Sequence, residues 1–233
     1  MEASNFSDGV LIEIGEIKRV ESEHLKIFNS GTVMSIKYQS VFEPVLSVIQ
    51  KVEGNRIYFK LPHMFLKHNV LEGDHVECHI LTENFEYVIY SVISAFEINN
   101  YILVEAIAEK IKRFENTRKT KRYLVSFPAT IFYKGYEKDF YAVIKNISIN
   151  GMGAIFKEEL QLNTPIDVIV HALIEDGHNL RFKSRIVRIT KRELYNEYGL
   201  EITEINKDNK NILEKLIFRL ESDEAEFVSW ELR

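Results

Sequence analysis

From residue 32 to residue 202 the chain consists of short runs of β-branched and aromatic residues separated by turn signals, and a helical period first appears at Ile212. Many short strands at close spacing leave small barrels or sandwiches as the economical folds. In the first half, residues 10–31 read as short strands and turns. Strand-like runs follow at 32–38 and 45–49. A tight turn over Glu53, Gly54, Asn55 and Arg56 then leads into 57–61. Runs 75–81 and 87–96 pair across 82–84, and Asn99 and Asn100 turn into 101–104. The second half repeats the style at 123–133, 140–145, 152–156, 166–172, 180–189 and 198–202, with turns over 146–151 and 176–179. Pro128 inside the first of these runs marks an edge or a bulge, because proline cannot donate to a ladder.

Beyond Asn206 the period changes. Ile212, Leu213, Leu216, Ile217 and Leu220 line one face of an amphipathic helix, with Asp208 as the expected N-cap. The acidic tail from Glu221 carries the single Trp230. The chain has 233 residues, enough for two ordinary domains. The stretch 106–117 is charged and loses the period of two, so it reads as the inter-domain linker. The expected architecture is all-β: a barrel over 1–112, then a second barrel with the C-terminal helix over 113–233.

Charge narrows the function. The formal net charge is -5, whereas proteins that hold nucleic acid along a surface usually carry a large basic excess. An anion site must therefore be local. The most basic stretch is 110–122, with Lys110, Lys112, Arg113, Arg118, Lys119, Lys121 and Arg122 against Glu109 and Glu115. Cys78 is the single cysteine, which suits a reducing compartment. The first nine residues lack the apolar segment of a secretory leader, and no run approaches the roughly 20 apolar residues of a membrane span. The expected location is the cytoplasm.

Within the basic stretch, Arg118 and Arg122 stand four apart. Guanidinium forks suit phosphate and the O6/N7 edge of guanine alike. Downstream, Asn146 and Ser148 alternate onto one face of a strand end, and Gly151 is expected to give the backbone a turn other residues could not adopt. Such a set would make a small polar pocket for a compact, doubly charged anion carrying purine bases.

These residues resemble the PilZ family, whose barrel receives cyclic di-GMP through an RxxxR segment and a [D/N]xSxxG segment. The matching positions are Arg118 and Arg122, then Asn146, Ser148 and Gly151. The resemblance covers about residues 117–205. Many members have a further arginine directly before the first motif arginine. Thr117 stands there in this chain, and Thr117, Lys119 and Lys121 are the additional candidate contacts. An all-β domain ahead of such a barrel is similar to the two-domain YcgR type. That likeness implies a brake on flagellar motility, with a flagellar motor or switch protein as partner and recruitment to the basal body. It also implies a mechanism. Arginines solvated in the free protein are drawn onto the barrel face by the ligand, and the two barrels reorient.

Two other readings stay open at this point: an adaptor of PilZ type that has lost nucleotide binding, and a barrel that binds single-stranded nucleic acid. Neither an enzyme nor a metal protein is expected. His75 and His79 share a strand face but stand ~13 Å apart, with Cys78 on the other face. Gly151, Met152 and Gly153 precede a strand, so they are not a dinucleotide-binding loop. No cofactor is expected beyond the ligand.

Overall fold

The computed structural model describes residues 25–38, 42–62, 70–98, 101–116, 118, 120–135, 137–171, 179–225 and 228. Expectations for residues 10–24, for Asn99 and Asn100, for Thr117, Lys119 and Trp230, and for most of the 176–179 turn lie outside them. The described residues divide into two compact units. The first comprises those within 1–41, 45–119 and 225–233, the second those within 42–44 and 120–224.

The first unit is a closed barrel of six strands: β1 (Val33–Tyr38), β2 (Val45–Glu53), β3 (Arg56–Leu61), β4 (His75–Leu81), β5 (Phe85–Ile98) and β6 (Ile102–Glu115). All neighbours are antiparallel in the order β1-β2-β3-β6-β5-β4, closed by β1 on β4. Gly54 takes a φ of 62° in the β2–β3 turn, a conformation that glycine adopts without penalty. Alternate residues such as Ile57, Phe59, Ile89 and Val104 fill the interior and are fully buried. Each such side chain contributes ~1.5–3 kcal/mol by leaving water. Cys78 is one of them. Burial, with a smaller push from Glu77, lifts its thiol to about 12, so it stays protonated and packs as a small apolar group.

The expected linker over 106–117 is mostly strand. β6 continues to Glu115 and pairs with β5 along its whole length. A bulge explains the lost alternation: Ser91 faces Ala108 and Tyr90 faces Lys110, leaving Glu109 as the extra residue. Buried positions are even-numbered up to Ala108 and then shift to Ile111. One inserted residue thus exchanges the inner and outer faces. The charges are spread along both faces of the strand. Lys112 lies over the Tyr90 ring at 5.0 Å and Arg113 over the Phe85 ring at 4.4 Å.

The second unit is built the same way from β7 (Tyr123–Phe132), β8 (Phe140–Ser148), β9 (Gly151–Phe156), β10 (Pro165–Val170), β11 (Leu180–Lys191) and β12 (Asn196–Glu204), followed by the helix α1 (Lys207–Ser222). Its barrel closes as β7-β8-β9-β12-β11-β10. Numbered from its own first strand, each barrel therefore has one and the same strand order. Pro128 faces outward on β7, and the irregularity expected of it falls just upstream, between Leu124 and Phe127. In the core, Phe156 stacks on Tyr198 with centroids 3.9 Å apart and planes at 6°. The Tyr198 hydroxyl donates to the Glu158 carbonyl at 2.7 Å and accepts from the Leu160 amide at 3.1 Å.

The helix face read from sequence is the packed one, with Leu213, Leu216 and Leu220 buried. The cap is Asn206, not Asp208: its side chain accepts from the Asn209 amide at 2.8 Å. Asp208 sits in the first turn, where a negative charge complements the helix N-terminus. Asn209 in turn accepts from the Arg181 amide at 2.7 Å, tying α1 to β11.

Candidate functional site

The two motif arginines belong to different units and are held differently. In the first unit Asn116 ends the strand segment with a clamp. Its amide group donates to the carbonyls of Thr82 and Glu83, at 3.2 and 3.1 Å, in the β4–β5 turn. Its own carbonyl oxygen accepts from the Arg118 amide at 3.4 Å. The Arg118 guanidinium then reaches Glu86 of β5, with both terminal nitrogens 3.3 Å from one carboxylate oxygen. The pair is partly covered, its side chains 25% and 28% exposed. The expectation of a solvated arginine in the free protein is therefore corrected: a clamp and a counter-ion already hold Arg118.

In the second unit Arg122 donates to the Asn146 side-chain oxygen at 3.3 Å. Asn146, Ile147 and Ser148 are the last residues of β8, and only Ile149 and Asn150 turn before Gly151 begins β9. Asn146 and Gly153 are register partners, as are Ser148 and Gly151. Ser148 is 1% exposed, and its hydroxyl donates to the Gly151 carbonyl at 2.9 Å, stapling the hairpin. The role expected of Gly151 also needs correction. Its φ lies outside the left-handed region. It is glycine for lack of space: a Cβ there would meet the Leu200 carbonyl oxygen at 2.3 Å. β9 can approach β12 because position 151 carries no side chain.

Gly153 entered the sequence reading only through the rejected dinucleotide-binding loop, not as part of this site. A Cβ there would lie 2.8 Å from the Asn146 amide nitrogen and 2.9 Å from its oxygen, so the missing side chain leaves the room in which Asn146 turns toward Arg122. A glycine two positions after the motif glycine was the available signal. Of the additional candidates, Lys121 is exposed, with its ammonium 4.7 Å from the Tyr123 ring centre. Beside Asn146, the bulged Lys145 pairs with the buried Glu197, which also accepts from Arg192 at 3.1 Å. The buried Glu197 carboxylate is thus compensated by two cations, which leaves the cluster with one net positive charge.

Glu224, just beyond α1, accepts from the Leu124 amide at 3.3 Å, two residues from Arg122. Burial pushes its carboxyl up to about 7, against the smaller downward pulls of that amide and of Lys121. The folded state therefore favours the neutral acid. The resulting stabilisation is full below the unfolded value of 4.5 and is lost as pH rises through about 7. We expect Glu224→Gln to flatten this part of the stability–pH curve and to be the more stable protein above pH 7. At ~1.4 kcal/mol per pKa unit the gain is roughly 1–3 kcal/mol, the partial exposure of Glu224 favouring the lower end. Thermal unfolding of both proteins between pH 5 and 8 measures it. Parallel curves would refute the assignment.

Comparison with known families gives a match to the PilZ domain over residues 116–219, which takes in Arg118, Arg122, the β8–β9 hairpin and most of α1. Residues 116–219 are a PilZ domain. No curated protein sequence matches the chain. Solved structures similar to it include YcgR of Escherichia coli in complex with c-di-GMP, at 13% identity and a TM-score of 0.43, covering 87% of this chain and 89% of that one. The Bacillus subtilis inhibitor of motility MotI/DgrA is similar at 16% identity and a TM-score of 0.41, covering 84% and 99%. The MrkH–c-di-GMP complex of K. pneumonia follows at 13% and 0.43, covering 85% and 89%. In the PilZ domain of this chain, the Arg122–Asn146 hydrogen bond joins the two motifs. Among the described residues there is no cluster of His, Cys, Asp or Glu that could hold a metal, and no helix long and apolar enough to cross a membrane.

Proposed function

We propose that the chain is a cyclic di-GMP receptor whose PilZ domain takes the dinucleotide on Arg118, Arg122, Asn146, Ser148 and Gly151, with Lys121 and the neighbouring Thr117 and Lys119 as further contacts. The observation that carries the reading is the hydrogen bond at 3.3 Å by which the second arginine of RxxxR meets the asparagine of NxSxxG within a PilZ domain. A guanidinium already turned to the β8–β9 hairpin is oriented before the ligand arrives, which lowers the cost of binding.

Arg118 reaches the ligand by exchange. A partly exposed ion pair such as Arg118–Glu86 is worth ~0–1 kcal/mol, whereas a guanidinium on a phosphate makes charge-assisted, bidentate bonds. The dinucleotide therefore competes well for Arg118. Releasing that arginine from the first unit biases how the two units are arranged, since a ligand shifts an equilibrium by its differential affinity for the two states. The output is contact with a protein partner at the flagellar motor or switch, with recruitment to the basal body, and no chemical step is required of the chain.

Calorimetric titration with cyclic di-GMP tests this, on the wild type and on Arg118→Ala/Arg122→Ala. Saturable binding is expected in the wild type. Two charge-assisted contacts at ~1.5–3 kcal/mol each make the double variant at least ~100-fold weaker. Binding that survives the double substitution, or a wild type that takes up no ligand, would defeat the proposal. Small-angle scattering on the saturated protein addresses the rearrangement: curves identical with and without ligand would remove that step.

A further inference from the structure

One row of register partners crosses the outer face of the second barrel: Asn146 on β8, Gly153 on β9, Gly199 on β12 and Arg188 on β11. The two central positions have no side chain. Gly153 and Gly199 are directly paired, so they form a strip two strands wide with no side chains of its own, roughly 5 Å from strand to strand and buried beneath its neighbours' side chains. Asn146 overlies one end of the strip, where it accepts from Arg122. Arg188 overlies the other, placed outward by a register shift between Ile186 and Arg188. Its Cβ is 3.0 Å, and its Nε 3.7 Å, from the point where a Gly199 Cβ would stand, so the side chain folds over the glycine floor.

Arg188 differs from five other basic residues of this barrel. Lys145, Lys183, Arg185, Lys191 and Arg192 each have a carboxylate partner. The Arg188 Nε is buried and finds no hydrogen-bond partner among the described residues. A buried donor with no acceptor is unfavourable, and lifting this group off the strip breaks no bond at Nε. Once Arg188 is lifted, the Gly199 side of the strip has the flatness a planar ring system needs, with Asn146 over the Gly153 side.

We propose that the Gly153–Gly199 strip seats one guanine base and that Arg188 is a base-reading residue, its guanidinium donating to the O6/N7 edge. The inference rests on the cyclic di-GMP reading above and adds to it a side chain outside both motifs. Guanine offers two acceptors on that edge, which suit a guanidinium fork. Adenine offers one acceptor and one donor, and the fork then meets a donor head-on.

Titration of the full chain with cyclic di-GMP and, separately, with cyclic di-AMP decides it, on wild type, Arg188→Ala and Arg188→Lys. In Arg188→Ala, affinity for cyclic di-GMP should fall at least ~10-fold, with the unfolding midpoint unchanged because no Nε bond is lost. The preference for cyclic di-GMP over cyclic di-AMP should shrink with it. Arg188→Lys keeps the charge and the apolar stem over Gly199 but loses the fork, so it should resemble the alanine variant in binding and the wild type in stability. If the alanine variant is destabilised, the lysine variant decides. A wild-type preference retained in Arg188→Lys would overturn the assignment of Arg188 and leave the receptor reading intact. A wild type that binds neither dinucleotide would overturn both.

Discussion

Gly151→Ala should unfold the second unit at a markedly lower temperature. The added methyl group meets the Leu200 carbonyl oxygen at 2.3 Å, and a main-chain atom in a paired strand cannot swing aside as a flexible side chain can. β9 must then move away from β12 at the end where Gly151 faces Glu201 and where the Ile202 amide donates to the Asn150 carbonyl at 3.0 Å. Overpacking of this kind costs ~1–3 kcal/mol and more where main chain is displaced. For a unit of this size each kcal/mol lowers the midpoint by ~4–8 °C. Calorimetric unfolding of the full chain measures the loss in the transition of the second unit. An unchanged midpoint would show that β9 and β12 are not held as described. The hairpin also carries Asn146 and Ser148, so ligand binding should weaken with it.

Phe156→Ala should cost ~3–5 kcal/mol, the range for removing a buried phenylalanine. Phe156 is fully buried, parallel to the Tyr198 ring and 5.2 Å from the Phe140 ring. Its removal leaves a hole in the barrel interior and frees Tyr198, whose hydroxyl holds the segment after β9 through Glu158 and Leu160. Urea titration should show a lower midpoint at unchanged slope. Phe156→Leu, which refills most of the volume but not the stack, should recover more than half of the loss. A loss below ~1 kcal/mol in the alanine variant would mean that the barrel collapses onto the hole, against the packing described.

The fold was legible because barrel strands advertise themselves through alternation, and each run between 32 and 202 named from sequence is a strand. Alternation fails as a guide at bulges. The inserted Glu109 exchanged the faces of β6, so its second half passed for a linker. Capping was misread because Asn206 and Asp208 are both good cap residues two positions apart, and the choice between them is made by the geometry of entry into the helix. Within the candidate site the motif residues could be found but not their neighbours. Glu86 lies 32 positions from Arg118 and Arg188 lies 42 from Asn146, separations that only strand pairing closes. The purpose of Gly151 was equally hidden, since the obstacle that demands a glycine is the carbonyl of Leu200 on a different strand.

Both barrels close on themselves, β1 on β4 and β7 on β10, so every described strand has a neighbour on each side. Strand addition, by which many proteins capture an extended peptide along a free ladder, has no template among the described strands. A protein partner of the kind proposed would have to read side chains: the outer barrel faces, the turns, or an exposed position such as Phe218 on α1, 71% accessible. The same closure guards the chain against self-association. A barrel must first open before one copy can recruit the backbone of another, so conditions that unzip β9 from β12 should also be those at which the protein begins to aggregate.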